Sequence, residues 1–415
     1  MKADAKQQVV DTGIEATLAR RFLQLVGNPR ISVKLWNGNE YCFCEGPPVA
    51  QVEIRDRSAF LDMLRSPPMG FGEGYIKGLI EIHGDFYEFM NEAARAFSLK
   101  TTRHYRLQKI RSRLAALKPN TLSRSKDNVH RHYDLGNDFY KMWLDDQMVY
   151  TCAYYERPDA TLAEAQVAKL DHVCRKLRLQ PGQSVVEAGC GWGALALHMA
   201  QHYGVTVTAY NNSHEQVRYA REQAEIRNLA DRVTFIEEDY RNIIGRYDVF
   251  VSVGMLEHVG LINFRTLGSI VSQSLRPDGI GLIHSIGRSN PRPPDPWIAK
   301  RIFPGGHIPS LGEMAAVFEP FKFSVLDVEN LRLHYAKTCR TWLSNFEKVS
   351  ERVRQMYGSE FVRTWRLYLA GSSAGFRSGT LQLYQVLFAP HGNNQVPWTR
   401  HYQYSAEPAN ASGSE

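Results

Sequence analysis

The chain is predicted to be an α/β protein, with a doubly wound sheet domain preceded by a smaller mixed α/β unit. Three observations predict this. From about Val129 onward, short β-branched apolar runs alternate with helical patterns, as in successive βαβ units. One strand-to-helix junction is glycine-rich, "VVEAGCGWGALAL". An apolar, β-branched run formed by Val249, Phe250, Val251 and Val253 ends in Gly254-Met255-Leu256-Glu257-His258. A carboxylate and an imidazole at the end of a buried strand are costly unless something uses them.

Residues 1–99 form the smaller unit. "ISVKLWNG" and "YCFCEG" alternate as a hairpin closed by Asn37-Gly38-Asn39, and "QVEIRD" is a further strand. "SAFLDMLRSPP" is a helix capped by Ser58 and stopped by Pro67. Residues 100–127 are a basic linker. The main domain, 128–389, holds strands "SVVEA" (184–188), "VTVTAY" (205–210), "VTFIE" (233–237), "YDVFVSVG" (247–254) and "IGLIHSIG" (280–287). Helices fill the gaps, as in "SHEQVRYAREQAEIRNL". A Pro-rich insertion, "GRSNPRPPDPW", follows the fifth strand, and helical segments lead to a last strand, "LQLYQVLFA" (381–389). The polar tail 390–415 has the composition of a disordered segment.

With 415 residues, 43% apolar and 22% charged, the composition is that of a globular protein. No apolar run reaches the ~18–20 residues of a membrane span, and the first residues lack the apolar core of a secretory signal, which points to the cytoplasm. The six cysteines lack metal-site spacing and are expected to be thiols; Cys42 and Cys44 share a strand face. No metal is expected. The net charge of +7 is unevenly spread: Lys100 to Lys126 holds nine Lys/Arg and no acid. With few aromatics to stack on bases, this stretch suits an anionic membrane surface better than nucleic acid.

Gly189, Gly191 and Gly193 let the backbone turn sharply and bring helix amides up to a ligand, with Glu187 just ahead of them. The second strand ends in Tyr210-Asn211-Asn212 with no acid, which argues against a nicotinamide dinucleotide. The third runs into Asp239-Tyr240, placed to bond an adenine amine and cover its ring.

These features resemble the S-adenosylmethionine-dependent methyltransferases of the class I, Rossmann-like fold. "NVHRHYDLGNDFY" (128–140), "YTCAYYE" (150–156), "VSVGMLEHVG", "LIHSIG" and "PWIAKRIFPGG" (296–306) narrow the resemblance to the cyclopropane fatty acid synthase family, and "GFGEGYIKGLIEIHGD" (70–85) extends it into the first unit. The resemblance implies methylene transfer from S-adenosylmethionine across the double bond of unsaturated phospholipid acyl chains, through a carbocation. A dry site with electron-rich aromatics suits that cation, and Tyr133, Tyr154, Tyr155, Phe303, Tyr335 and Tyr368 are available. It further implies a bound bicarbonate as base, held by Cys152, Glu257, His284, Ile286 and Tyr335, with His258 structural. Cofactor contacts carry over to Tyr150, Thr151, Glu187, Gly189, Gly191, Gly193, Asn211, Asn212, Gln216, Asp239 and Tyr240. Dimers occur in the family, so a homodimer is expected, at the inner membrane surface.

The turn "AYNNSHEQ" (209–216) departs from the family's Thr-containing form and looks more like sterol C-methyltransferases. A lipid C-methyltransferase making methyl-branched or exomethylene chains is therefore the alternative. A non-catalytic lipid carrier would not need the glycine loop, and no "NPPY"-type motif receives a flipped base.

Overall fold

A computed structural model of the protein describes residues 13–44, 46–98 and 135–404. The chain divides into two compact units, one within 1–103 and the other within 104–415. The basic stretch 100–126, Tyr133 and most of "NVHRHYDLGNDFY" lie outside the described residues.

The first unit runs α1 (Ile14–Leu25), β1 (Ile31–Lys34), β2 (Glu40–Cys42), β3 (Ala50–Ile54), α2 (Arg57–Arg65), α3 (Pro67–Ile76), β4 (Ile80–Gly84) and α4 (Phe86–Ser98). Its sheet has the order β2-β1-β3-β4. The expected hairpin is present, with Val33 opposite Tyr41 and Gly38 at φ +85° in the turn. β3 alternates buried and half-buried residues, so Ala50, Val52 and Ile54 enter the core beside Phe22, Phe60 and Phe89. Two details differ from the sequence reading. Asp56, not Ser58, caps α2, accepting from the backbone N–H of Ser58 at 2.8 Å; a carboxylate two residues earlier reaches the orphan amides of the first turn. Pro67 not only ends one helix but occupies the first position of the next, where its missing N–H costs nothing.

The second unit contains α5 (Asn137–Lys141), α6 (Leu162–Lys176), β5 (Ser184–Ala188), α7 (Ala194–Tyr203), β6 (Thr206–Tyr210), α8 (His214–Ile226), β7 (Val233–Ile236), β8 (Tyr247–Val253), α9 (Leu256–Val259), α10 (Phe264–Ser274), β9 (Leu275–Gly287), α11 (Pro296–Arg301), α12 (Leu311–Phe318), β10 (Phe323–Asn330), α13 (Arg332–Tyr357), α14 (Ser359–Ser378) and β11 (Gln382–Pro390). The seven strands are ordered β10-β11-β9-β8-β5-β6-β7. Five are parallel, and β11 and β10 add antiparallel at one edge. Helices cover both faces, so Val185, Val249 and Val251 pack into one core layer, and Val186, Phe250 and Ile283 into the other. Burial on both faces explains why these strands read as unbroken apolar runs.

Two expectations are corrected here. β10 was not anticipated: "FSVLDVEN" is an edge strand whose residues are mostly half-buried or exposed, with a register shift between Val325 and Asp327, so it lacks an apolar signature. The tail is ordered as far as residue 404. His391 N–H donates to Lys322 O at 3.1 Å, Arg400 to Leu326 O at 3.1 Å, and Gln403 is fully buried. Its polar residues satisfy backbone carbonyls of β10 and its flanks, an arrangement composition does not reveal. Residues 405–415 lie outside the described part.

Candidate active site

The strand order places β6 and β7 on one side of β5 and β8 and β9 on the other, so connections diverge at the carboxyl ends of β5 and β8. That divergence opens the crevice where open α/β sheets bind ligands.

On the β5 side, the three loop glycines have φ of +84°, +54° and +87°. A Cβ on Gly193 would meet Ala220 and Phe235 at 2.8 Å, and one on Gly189 would meet Met255 at 2.8 Å. The loop is therefore both left-handed and tightly packed. Gly189 and Cys190 donate backbone N–H groups to Tyr210 O, and Asn211 Nδ2 donates to Gly191 O at 3.1 Å and to Gln216 Oε1 at 2.8 Å. The Asn-Asn turn thus latches the glycine loop to β6. Asn212 donates to Asp239 at 3.0 Å, and Asp239 also accepts from the Arg241 guanidinium. Both Asp239 oxygens are therefore engaged already, whereas the buried Tyr240 hydroxyl has no partner. Glu187 is buried with Oε2 unpartnered. Burial pushes the Glu187 carboxyl up and the neighbouring Lys169 ammonium down, each against the pull of opposite charge.

On the β8 side, Glu257 lies in α9, one turn beyond the strand. Its Oε1 accepts the Ile286 backbone N–H at 2.6 Å, and its Oε2 is buried without a partner. Burial pushes its carboxyl up to about 7. His284 lies opposite Val253 in β8 and Gln385 in β11. Gln385 Nε2 meets His284 Nδ1 at 3.1 Å, while His284 Nε2 is buried and unpartnered. Burial drives this imidazole down to about 3, so it is neutral. With the Gln385 amide oriented as donor, Nε2 carries the proton. Cys152 and Tyr335 approach through Leu331: the thiol points toward Leu331 O at 3.9 Å, and Tyr335 N–H donates to the same carbonyl at 3.1 Å. Tyr335 stacks on Phe376 at 4.4 Å, and burial pushes its phenol up. His258 packs edge-on to Phe303 and burial drives it down to about 4, in keeping with a neutral structural residue.

The aromatics named from sequence divide into two groups. Phe303 and Tyr368 meet edge-to-face at 5.7 Å, and Tyr368 bonds Tyr150 hydroxyl to hydroxyl at 2.8 Å. Tyr154, however, is sandwiched between His172 and His334 at 4.2 and 4.9 Å, and Tyr155 lies under the Lys337 ammonium at 3.9 Å. The faces of Tyr154 are filled, so it offers no surface to a substrate cation. Three supporting residues went unnoticed in the sequence. Gln385 orients His284, and buried Lys169 donates to Thr151 Oγ1 at 3.0 Å while Gln166 holds Thr151 O at 2.9 Å. A lysine on the apolar stripe of α6 was the available signal.

Among the described residues no group of His, Cys, Asp and Glu is arranged to hold a metal, no helix is long and apolar enough to cross a membrane, and all six cysteines are free.

A family model described as mycolic acid cyclopropane synthetase matches residues 120–386, and one described as a domain of unknown function matches residues 18–102. The chain is 35% identical over 389 residues to a probable fatty acid methyltransferase of Pseudomonas putida, covering 90% of this chain and 96% of that one. It is 36% identical over 347 residues to the cyclopropane-fatty-acyl-phospholipid synthase of Escherichia coli K12, covering 83% and 89%. Among solved structures, the cyclopropane synthase MmaA2 of Mycobacterium tuberculosis matches with a TM-score of 0.61 at 28% identity, over 64% of this chain and 98% of that one. The mycolic acid cyclopropane synthase CmaA1, complexed with SAH and CTAB, matches at 0.61 and 30%, over 66% and 99%. A doubly wound sheet, a tight glycine loop at its switch point and a family match over residues 120–386 lead to one conclusion: the chain belongs to the mycolic acid cyclopropane synthetase family and is an S-adenosylmethionine-dependent methyltransferase.

Proposed function

We propose that this enzyme forms cyclopropane rings on unsaturated phospholipid acyl chains, with bicarbonate as base. The observation that carries the reading is the pair of buried, unpartnered polar atoms, Glu257 Oε2 and His284 Nε2, at the ligand end of β8 and β9. Other buried polar atoms of the chain also lack a partner, but these two stand at the ligand end of the sheet, where a bound group can complete them. The chemistry of this pair suits a small oxyanion bearing one proton. Ionised Glu257 accepts from its hydroxyl, and neutral His284 donates from Nε2 to its oxygen. Tyr335 and Cys152, linked through Leu331 O, complete the proposed set, and Ile286 acts through its N–H by fixing Glu257 Oε1.

When bound, S-adenosylmethionine supplies an electrophilic methyl and bicarbonate a proton acceptor. The chain's own residues do the rest. The latched loop from Gly189 to Gly193 and Thr151 seat the cofactor, Phe303 and Tyr368 wall the reacting region against water, and Glu257 and His284 hold the acceptor in one orientation. After methyl transfer the alkyl cation loses a proton either from the new methyl, closing a ring, or from the chain, leaving a branched alkene. A base fixed at Glu257 favours the first route when the new methyl faces it. The similarity to the cyclopropane-fatty-acyl-phospholipid synthase of E. coli supports the lipid class. The test is proton spectroscopy of fatty esters from a host expressing the protein. High-field cyclopropane methylene signals, with activity in vitro stimulated by added bicarbonate, are the expected result. Only methyl-branched or exomethylene chains would overturn ring formation and leave a lipid C-methyltransferase.

A further inference from the structure

Beyond Ile286, β9 continues outward. Side chains two apart share a strand face, so His284, Ile286 and Arg288 line one face in sequence. Arg288 is thus about 6–7 Å farther along the backbone than Ile286, toward the rim of the site. Its backbone is anchored there, with its N–H donating to Pro309 O at 2.8 Å and a bridge to Ser310. Its side chain is partly buried under the Pro-rich turn. Nη1 donates to Pro293 O at 2.9 Å and Arg292 O at 3.4 Å. Nε and Nη2 have no acceptor among the described residues, and no carboxylate lies within ion-pair distance.

The nearby acids are committed elsewhere. Asp295 caps α11, accepting from Trp297 and Ile298 N–H at 2.9 and 3.1 Å. Glu313 closes a capping box with Ser310 at 2.8 Å. Burial and the adjacent Arg292 charge push the Arg288 guanidinium down to about 10, the opposite of what a resident carboxylate partner produces. A guanidinium stripped of part of its water, next to a second cation and without a counter-charge, is costly unless an anion completes it. Pro291, Pro293, Pro294 and Pro296 hold the turn in one shape, so the group is oriented in advance.

We propose that Arg288 anchors the substrate's head group, donating from Nε and Nη2 to the phosphodiester of a lipid whose acyl double bond reaches Glu257. This rests on the lipid reading above. The planar fork of a guanidinium matches two oxygens of one phosphate, and every glycerophospholipid carries that group whatever its outer substituent. Arg288 is therefore a specificity-determining residue for phospholipid over neutral lipid, and it takes no part in proton transfer.

The test compares the full-length wild type with Arg288→Gln and Arg288→Lys on dioleoylphosphatidylglycerol, dioleoylglycerol and oleate in neutral detergent micelles. Arg288→Gln is expected to raise KM for the phospholipid about tenfold or more, as loss of a charge-assisted contact does. Its kcat should hold, KM for dioleoylglycerol should be unchanged, and Arg288→Lys should recover part of the loss. Equal losses on the phospholipid and dioleoylglycerol would reduce Arg288 to a support of the turn and overturn the proposal. A loss confined to oleate would reassign the contact to a free carboxylate and overturn it as well. Calorimetric titration with monomeric dihexanoylphosphatidylglycerol gives a readout independent of turnover. If the wild type alkylates none of the three lipids, the function proposed above fails, and this titration alone decides the anchor. Weaker binding by Arg288→Gln upholds it, and equal binding rejects it.

Discussion

Glu257 has one oxygen fixed by a backbone N–H and the other left bare in a buried place. A carboxylate used to grip the cofactor would instead sit beside the glycine loop, as Glu187 does. Glu257→Gln should therefore lower turnover by about 100-fold or more while leaving S-adenosylmethionine affinity nearly unchanged by calorimetry. A parallel loss of cofactor binding would move Glu257 out of the base site. The same residue predicts a pH signature. Burial lifts its carboxyl from 4.5 to about 7, so between those values the native state keeps a proton that the unfolded chain has released. Stability is then lost as pH rises through that window, and the cost reaches about 3 kcal/mol above the folded value. Glu257→Gln removes that cost. Its melting temperature should match the wild type near about pH 5 and exceed it by several degrees near about pH 8. A difference that does not change with pH would contradict the raised carboxyl.

At the scale of elements, the β5–α7 loop has three left-handed glycines, two of which, Gly189 and Gly193, are packed against other elements. Gly193 faces Ala220 of α8 and Phe235 of β7, both at 2.8 Å from where a Cβ would be. Gly193→Ala would need a strained φ and would push apart two elements that frame the crevice. A loss of about 2–4 kcal/mol in unfolding free energy is expected, together with loss of cofactor binding, measured by denaturant titration and calorimetry. Gly191 is a useful control, because a Cβ there meets nothing within 4 Å. Gly191→Ala should destabilise less, by the backbone strain alone.

At the scale of the whole molecule, nine Lys/Arg without an acid lie between Lys100 and Lys126. Under the proposed function the substrate lies in a bilayer, and a polybasic stretch contributes about 1 kcal/mol per charge near an anionic surface. Reversing Arg111, Arg113 and Lys118 to Glu should release the protein from phosphatidylglycerol vesicles in a sedimentation assay at low salt, and added salt should weaken wild-type binding in the same way. Unchanged sedimentation would assign these charges to a solvated surface.

The amino-acid sequence by itself determined what local pattern can encode. The parallel strands were legible because strands buried on both faces must be continuously apolar, and the loop after β5 because only glycine tolerates its backbone. The candidate Glu257 was legible as a carboxylate just beyond an apolar run, whereas His284 was named only through the family resemblance. What only the tertiary structure decided depends on partners distant in the chain. β10 is a strand because β11 supplies its hydrogen bonds, and the segment after Pro390 is ordered because β10 offers it carbonyls. The Asn211-Asn212 turn became a latch on the glycine loop only once Gly191 and Asp239 were brought beside it. Tyr154 lost its place among the aromatics facing the cation when His172 and His334, 18 and 180 residues away in sequence, closed over its two faces. A residue's type states what it can bond or bury, whereas the elements that pack around it determine which of those capacities remain open.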